Sequence, residues 1–346
     1  MPRSAKEVRV GVIGYGGAFT MGRIHLTDMR TAGMTPVAVA ELDPVRRRAA
    51  EADFPGIRTF ATVRDMLKSS PVDLVTIITP HNTHAKLALA CLNAGKHVVC
   101  EKPMAITTGE CDAMIAAAKT NGVTLSTYHN RHWDGRILNA MKHIKGGAIG
   151  DVVRVEVHMG QWSQPGNWWR SSKTISGGIL YDWGVHLLEY TLQIVDAKIM
   201  EVSGYTRSGT WAAKTAWKDD TIEDEGFIAV RYASGAWSTL LMSSLDTAPR
   251  TGWVHVTGTR GSFEFDGAGW SLTTPGAKTR AAGTVTTVKG ANPPDEWHAF
   301  YDNIAGHLLR GEKLVITPEW ARRPIHIIDL AYQSAKKGRA QIPTYT

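Results

Sequence analysis

The sequence predicts an α/β protein: a doubly wound parallel sheet, followed by a second, α+β domain built on an open antiparallel sheet. Three observations predict it. Apolar strand-like runs alternate with helical runs over the first third of the chain. A glycine-rich turn, "GYGG", closes the first of those runs. After about residue 130 the alternation stops, and strand-like runs come in pairs around glycine turns. The boundary is placed at residue 130, with domains of 1–130 and 131–346, and 346 residues are enough for two cores.

The elements follow in order. "EVRVGVIG" is an apolar strand ending in glycine. "MTPVAVAELD" is a second strand, closed by acidic residues, and "PVRRRAAEAD" starts a helix with Pro44 after Asp43. "VDLVTIITP" is a third strand, apolar almost throughout, as a strand buried on both faces requires. "THAKLALACLNAGK" is a helix stopped by Gly95. "HVVCEKP" is the fourth strand, "TTGECDAMIAAAKTNG" a helix with a glycine stop, and "VTLSTYHN" the fifth strand. Further on, "ILNAMKHIKGG" and "GGILYDWGVHLLEYTLQIV" read as helices and "DVVRVEVHMGQW" as a strand. "FIAVRYASGAWSTLLMSS" and "WVHVTGTRGSFEFDG" read as hairpins. "EWHAFYDNIAGHLLRG" and "TPEWARRPIHIIDLAYQSAKKG" are closing helices, the second entered through Thr317 and Pro318.

Composition excludes several classes. The chain is 43% hydrophobic and 21% charged, with no polar tract. No apolar run reaches the roughly 18 residues of a membrane span, and the first residues lead straight into a strand, so a cytoplasmic protein is expected. The formal charge is +7, but the positive residues are scattered, and the densest cluster, Arg46 to Arg48, lies in a helix. No nucleic-acid partner is expected. Cys91, Cys100 and Cys111 fit neither a disulfide framework nor a zinc pair.

Gly14, Gly16 and Gly17 stand where a strand turns into a helix. A backbone without side chains lets a pyrophosphate approach the helix N-terminus, so a dinucleotide site is expected here. The third small residue of the usual spacing is replaced by Phe19, which leaves Ala18 or Gly22 for the packing role. Glu41, at the end of the second strand, is placed to accept from ribose hydroxyls and to repel a 2′-phosphate, which favours NAD over NADP. Arg46 and Arg47 weigh the other way. Lys102 lies at the carboxyl end of a parallel strand, the ligand-binding edge of such sheets, next to Pro103. A cation there can polarise a carbonyl or stabilise an alkoxide. Asp182 and His186 are four apart and would share one face of a helix, as an acid–base pair or as a surface pair.

"GYGGAF", "TPHNTHAKLALACLNAGKHVVCEKPMA" and "GGILYDWGVH" together resemble the glucose–fructose oxidoreductase and inositol dehydrogenase (Gfo/Idh/MocA) family. The resemblance covers the first 190 residues well and the hairpins loosely. It implies a nicotinamide-dependent oxidoreductase acting on a sugar, sugar derivative or cyclitol. By that likeness Lys102 and His186 are catalytic and Asp182 binds or orients the substrate. Thr79, Pro80, His84, Glu101 and Asn130 match positions that line the dinucleotide, as Gly14, Gly16, Gly17, Ala18, Phe19 and Glu41 do in the loop reading. His81 stands where the family often has asparagine. Homodimers, or tetramers made from them, are implied.

For the substrate, "QWSQPGNWWRSS" offers Trp162, Trp168, Trp169 and Arg170. Flat aromatic faces stack on sugar rings, and an arginine binds hydroxyls or a carboxylate. Arg131 and Trp133 follow the fifth strand, at the expected nicotinamide end. His129, His132 and His186 have no metal-ligand spacing, and no metal is expected. Two further functions are carried: a redox-neutral, NAD-dependent enzyme that cleaves glycosides by oxidation and elimination, and a non-catalytic sugar or dinucleotide sensor.

Overall fold

The computed structural model describes residues 8–16, 19–276 and 284–344. They form two units. One comprises residues up to His129 together with His298–Arg323, the other Asn130–Trp297 together with Pro324 onward.

The first unit is a parallel sheet wrapped by helices. Its elements are β1 (Arg9–Ile13), α1 (Met21–Thr31), β2 (Thr35–Ala40), α2 (Pro44–Asp53), β3 (Arg58–Phe60), α3 (Val63–Ser69), β4 (Leu74–Ile77), α4 (His84–Asn93), β5 (His97–Cys100), α5 (Thr108–Asn121) and β6 (Leu125–Thr127). The strand order is β3-β2-β1-β4-β5-β6, all parallel, with the chain switching direction at β1 and β4. β4 is buried at all four positions, as its apolar run predicts. The three-residue edge strand β3 is too short to leave a pattern in the sequence. It moves the Lys102 strand from fourth to fifth in chain order. Helix boundaries follow local chemistry: Asp43 caps α2 by accepting from the Val45 N–H, and Thr107 and Glu110 form a reciprocal capping box on α5. Gly122 ends α5 in the left-handed region. All three cysteines are free and buried, and burial pushes the Cys91 thiol up to about 12.

The second unit carries α6 (Gly135–Lys145), β7 (Val152–Gly160), the single-turn α7 (Lys173–Ser176), α8 (Trp183–Ile194) and β8 (Ile199–Arg207). These are followed by β9 (Glu225–Tyr232), β10 (Trp237–Ser243), β11 (Val254–Gly258), β12 (Gly261–Phe265), β13 (Trp270–Pro275) and β14 (Val285–Gly290). Both expected hairpins form, β9 with β10 and β11 with β12. The eight-stranded sheet runs β14-β13-β12-β11-β7-β10-β9-β8 and is antiparallel except where β7 lies parallel to β10. β8, β13 and β14 carry no clean alternation and were not legible as strands. β9 alternates buried and partly exposed residues along its length, so one face of the sheet packs inward. α8 lies over β7 and β10 on that face, and α6 over β12.

Two helices follow. α9 (Ala299–Arg310) packs in the first unit, and α10 (Pro318–Lys337) begins there and passes into the second at Pro324. Thr317 Oγ1 accepts from the Trp320 N–H at the entry of α10, as the Thr-Pro start predicts. Among the described residues, no helix is long and apolar enough to cross a membrane.

Candidate active site

In the first unit the site starts with the turn after β1. Gly14 has φ +94°, and a Cβ there would overlap the Ile78 carbonyl. Gly16 has φ +144°, and a Cβ there would come within 2.7 Å of the Arg46 side chain. Gly22, in the first turn of α1, faces the turn so closely that a Cβ would lie 2.9 Å from the Gly14 oxygen. Gly22 therefore fills the close-packing role, while Phe19 is 53% exposed. Gly17 and Ala18 lie outside the described residues. This bare-backbone cradle ahead of α1 fits the pyrophosphate of a dinucleotide.

Glu41 does more than await a ribose. Its two carboxylate oxygens accept the N–H groups of Tyr15, at 2.7 Å, and Asp43, at 2.9 Å, so it pins the glycine turn to the end of β2. The two arginines separate. Arg47 folds back to donate to the carbonyls of Glu41 and Leu42. Arg46 lies along Gly16, 3.5 Å from Asp43.

The ends of β4 and β5 form the rest of this edge. Thr79 and Thr83 share a 2.6 Å hydroxyl contact. His84 is fully buried, with its ring nitrogens 2.8 Å from the carbonyls of Thr79 and Pro103. It braces the two strand ends rather than presenting a surface to a ligand. The Lys102–Pro103 bond is cis. Glu101 accepts from the Lys102 N–H at 2.9 Å and contacts His25 Nε2 at 2.9 Å. His25 Nδ1 in turn meets the Tyr301 hydroxyl of α9 at 2.7 Å, and that hydroxyl lies 3.1 Å from Thr76. Burial pushes the Glu101 carboxyl up, but the His25 hydrogen bond and charge, with Lys102, outweigh it and hold it below the usual range. The turn that carries Lys102 is thus tied to α1 and α9 by a buried chain.

In the second unit the motif that begins at Gly177 is a broken entry into α8, not one continuous helix. Gly177 and Gly178 have φ +94° and +126°, residues 179–181 form a 3-10 turn, and α8 proper starts at Trp183. Asp182 stands at the N-cap with no side-chain cap bond, so it precedes the helix that bears His186 instead of sharing a helical face with it. Its carboxylate lies 3.6 Å from Arg170 Nε. The guanidinium of Arg170 is 4.5 Å from the Trp169 ring and 5.1 Å from the Trp168 ring. The structure therefore brings Trp168, Trp169, Arg170 and Asp182 together. Trp162, 57% exposed, pairs instead with Trp211, their rings 5.1 Å apart.

His186 is buried, with its ring edge-on to Trp183 at 5.6 Å. Asn130 to Trp133 form a 3-10 turn that lines up along α8. Arg131 lies 4.5 Å over Trp183, and His132 meets the buried Glu189 at 2.5 Å. Asp134, fully buried, accepts from the Tyr190 hydroxyl, from Trp297 Nε1 at 2.5 Å and from Arg131 at 3.1 Å. Trp133 packs on His132, their rings 4.8 Å apart. Trp183, His186 and Glu189 fall on one stripe of α8, spaced by three. Among the described residues, no group of three or more metal-ligating side chains is placed to hold a metal ion.

Sequence reasoning missed Glu223, Asp134, Glu189, His25 and Tyr301. Glu223 is the clearest case. It is buried, accepts from the Ile179 N–H at 3.1 Å and from the Tyr332 hydroxyl at 2.9 Å, and pairs with Lys173. A Cβ on Gly178 would lie 2.6 Å from its carboxylate, which is why the turn needs glycine there. Its partners are 44 and 109 residues away in the chain, and no local pattern signals them.

Residues 8–129 match the oxidoreductase family with an NAD-binding Rossmann fold (GFO_IDH_MocA). Residues 137–264 match the GFO/IDH/MocA C-terminal domain. A scyllo-inositol 2-dehydrogenase (NADP(+)) of Bacillus subtilis is 26% identical over 97% of this chain and 96% of its own. The fold is also that of a putative oxidoreductase, yvaA, from Bacillus subtilis, with TM-score 0.85, 23% identity and coverage of 99% of this chain and 100% of that one. A levoglucosan dehydrogenase solved with NADH and levoglucosan has TM-score 0.81 at 23% identity, covering 97% of this chain and 100% of its own.

Proposed function

From the premise that this chain belongs to the Gfo/Idh/MocA oxidoreductase family, with an NAD(P)-binding Rossmann domain, we propose that it is a dehydrogenase of a sugar, sugar derivative or cyclitol. The observation that carries the reading is the pairing, on one sheet edge, of a glycine cradle fitted to a pyrophosphate with the braced turn that bears Lys102. The cofactor, when bound, supplies the hydride acceptor or donor at its nicotinamide. Gly14 and Gly16 keep the backbone of the turn bare for the pyrophosphate, Gly22 lets α1 pack closely against that turn, and Thr79, Pro80 and Asn130 line the dinucleotide. Lys102 holds the substrate oxygen and lowers the pKa of the hydroxyl. His186 takes the hydroxyl proton on oxidation and returns it on reduction. Asp182 accepts a neighbouring hydroxyl, and Trp133, Trp168 and Trp169 offer ring faces to the sugar.

NAD is the preferred cofactor in this proposal, because the Glu41 carboxylate closes the ribose end. Arg46, beside Gly16, is the residue that would hold a 2′-phosphate. Tyr205, Phe227 and Trp237 lie on the outward face of the second sheet, with Tyr205 and Trp237 exposed. Such a face supports self-association into a homodimer or homotetramer, checked by size-exclusion chromatography with light scattering. A cytoplasmic setting goes with the proposal.

The His132–Glu189 pair favours one second reading. It is an additional acid–base couple one helical turn from His186, and oxidation followed by elimination of a glycoside needs such a group. One experiment separates the readings. Purified protein is incubated with NAD⁺ or NADP⁺ and a panel of sugars, glycosides and cyclitols, following nicotinamide absorbance and product mass together. Reduced cofactor with a keto product, lost in Lys102→Ala and His186→Ala by about 100-fold or more, is expected. Free aglycone without net reduction would move the protein to the glycoside-cleaving class. Turnover that survives both substitutions would overturn the assigned roles.

A further inference from the structure

The positive groups around the second unit's functional residues each have a carboxylate of the same unit. Arg131 and Arg136 lie 3.1 and 3.4 Å from the buried Asp134. His132 pairs with Glu189, and Lys173 with Glu223. Arg170, the one residue there that the sequence offered as a carboxylate receptor, is 3.6 Å from Asp182 and stacked against Trp168 and Trp169. The Asp182 side chain is the more open of that pair, 37% exposed against 19% for Arg170. What this cluster presents outward is therefore a carboxylate and indole faces, backed by a guanidinium.

We propose that the Trp168–Trp169–Arg170–Asp182 cluster selects an uncharged polyol and rejects its carboxylated counterpart, with Arg170 acting through Asp182. This rests on the assignment of Asp182 to the substrate site. A carboxylate accepts two hydroxyl hydrogen bonds well and repels another carboxylate at the same distance. The indole faces take the C–H side of a sugar ring. Arg170 is a positioning residue: its guanidinium, stacked on the two rings, sets a positive charge 3.6 Å from the Asp182 carboxylate and draws that carboxylate toward it.

The test uses full-length protein, saturated with NAD⁺ and NADP⁺ in parallel, and the matched pair glucose and glucuronate. Binding is read by calorimetry and by tryptophan fluorescence, and turnover is read in the same samples. Wild type is expected to bind glucose at least about tenfold more tightly than glucuronate. Asp182→Asn removes the repelling charge and leaves Arg170 for the ligand, so glucuronate binding is expected to rise and glucose binding to fall. Arg170→Gln should raise KM for a neutral substrate more than it lowers kcat, with Arg170→Lys recovering part of the loss. Equal or tighter binding of glucuronate by wild type overturns the proposal, and so does an Asp182→Asn variant that gains no glucuronate affinity. Absence of hydride transfer with an intact glucose preference would instead break the dehydrogenase assignment alone.

Discussion

Lys102 and His186 are placed by different means. Lys102 lies two residues past Cys100, the last residue of a parallel strand, and its turn begins where that strand leaves the sheet. The glycines of the same edge take φ values that the turn after β1 demands. His186 sits on a helix whose position is set by side chains from distant parts of the chain. Arg131, His132 and Asp134 reach Trp183, Glu189 and Tyr190, and Glu223 and Tyr332 close on Gly178. In the first unit the backbone does most of the positioning, and in the second a set of buried polar contacts does. The difference teaches where each half is vulnerable: substitutions in buried carboxylates should damage the second unit most.

The largest expected effect is at Asp134. Its carboxylate is fully buried and serves two arginines, a tyrosine hydroxyl and an indole N–H. Removing it leaves those charges and donors without their acceptor, at a cost of about 3–5 kcal/mol. Asp134→Ala should show this in urea unfolding, and Asp134→Asn should lose less. A loss below about 1 kcal/mol would mean that side-chain contacts do not hold α8 in register, and the contrast between the units would fail.

Glu101 offers a smaller effect and the counter-case, since it is a partly buried carboxylate, its side chain 14% exposed, on the backbone-built edge. Its folded pKa is depressed by His25 and Lys102 against the opposing effect of burial. A depressed carboxyl contributes stability that is present above its unfolded pKa of roughly 4.3 and is lost as pH falls through the lower folded value. Glu101→Gln should therefore cost about 1.5–3 kcal/mol near neutral pH, with the gap to wild type closing as the solution is acidified. Denaturant midpoints across the acid range check this. A gap that stays constant with pH would show that the charge of Glu101 is not what ties the turn to His25.

The same division explains what was legible in the sequence. The glycine turn, the parallel strands, the glycine stop of α5 and the position of Lys102 depend on residues a few places apart, so period and spacing reveal them. β3 escaped because three residues carry no period, and β8 because its pattern is irregular. In the second unit, "GGILYDWGVH" was visible as a motif, but its break at Asp182 was not, since nothing local distinguishes a broken entry from a helix. Arg170 was read for its charge alone, as a group for hydroxyls or a carboxylate, because the sequence does not show the Asp182 that lies 3.6 Å from it. His25 and Tyr301 are 276 residues apart, and no spacing rule connects them.

The smallest effects come from two helix caps, and they compare the units directly. Thr107 caps α5 by accepting from Glu110, three residues on. Ser172 caps α7 by accepting from Ile175 at 3.2 Å, and its own hydroxyl donates to Asp220, 48 residues away. Burial pushes the Asp220 carboxyl up, but its bonds from Ser172 and Thr174, with the charge of Lys173, together outweigh it and hold it below the usual range. The stability it contributes is accordingly lost as pH falls through that lowered value. Thr107→Ala should cost about 1 kcal/mol and leave turnover unchanged. Ser172→Ala should cost up to about 2 kcal/mol, because it also strips a donor from Asp220. It should also lower turnover, because α7 leads through Gly177 into the Asp182–His186 entry. Unfolding and steady-state rates on the same two variants decide the matter. Equal costs and unchanged rates in both would mean that the second unit's caps are as local as the first unit's, and that long-range partners such as Asp220 play no part in placing His186.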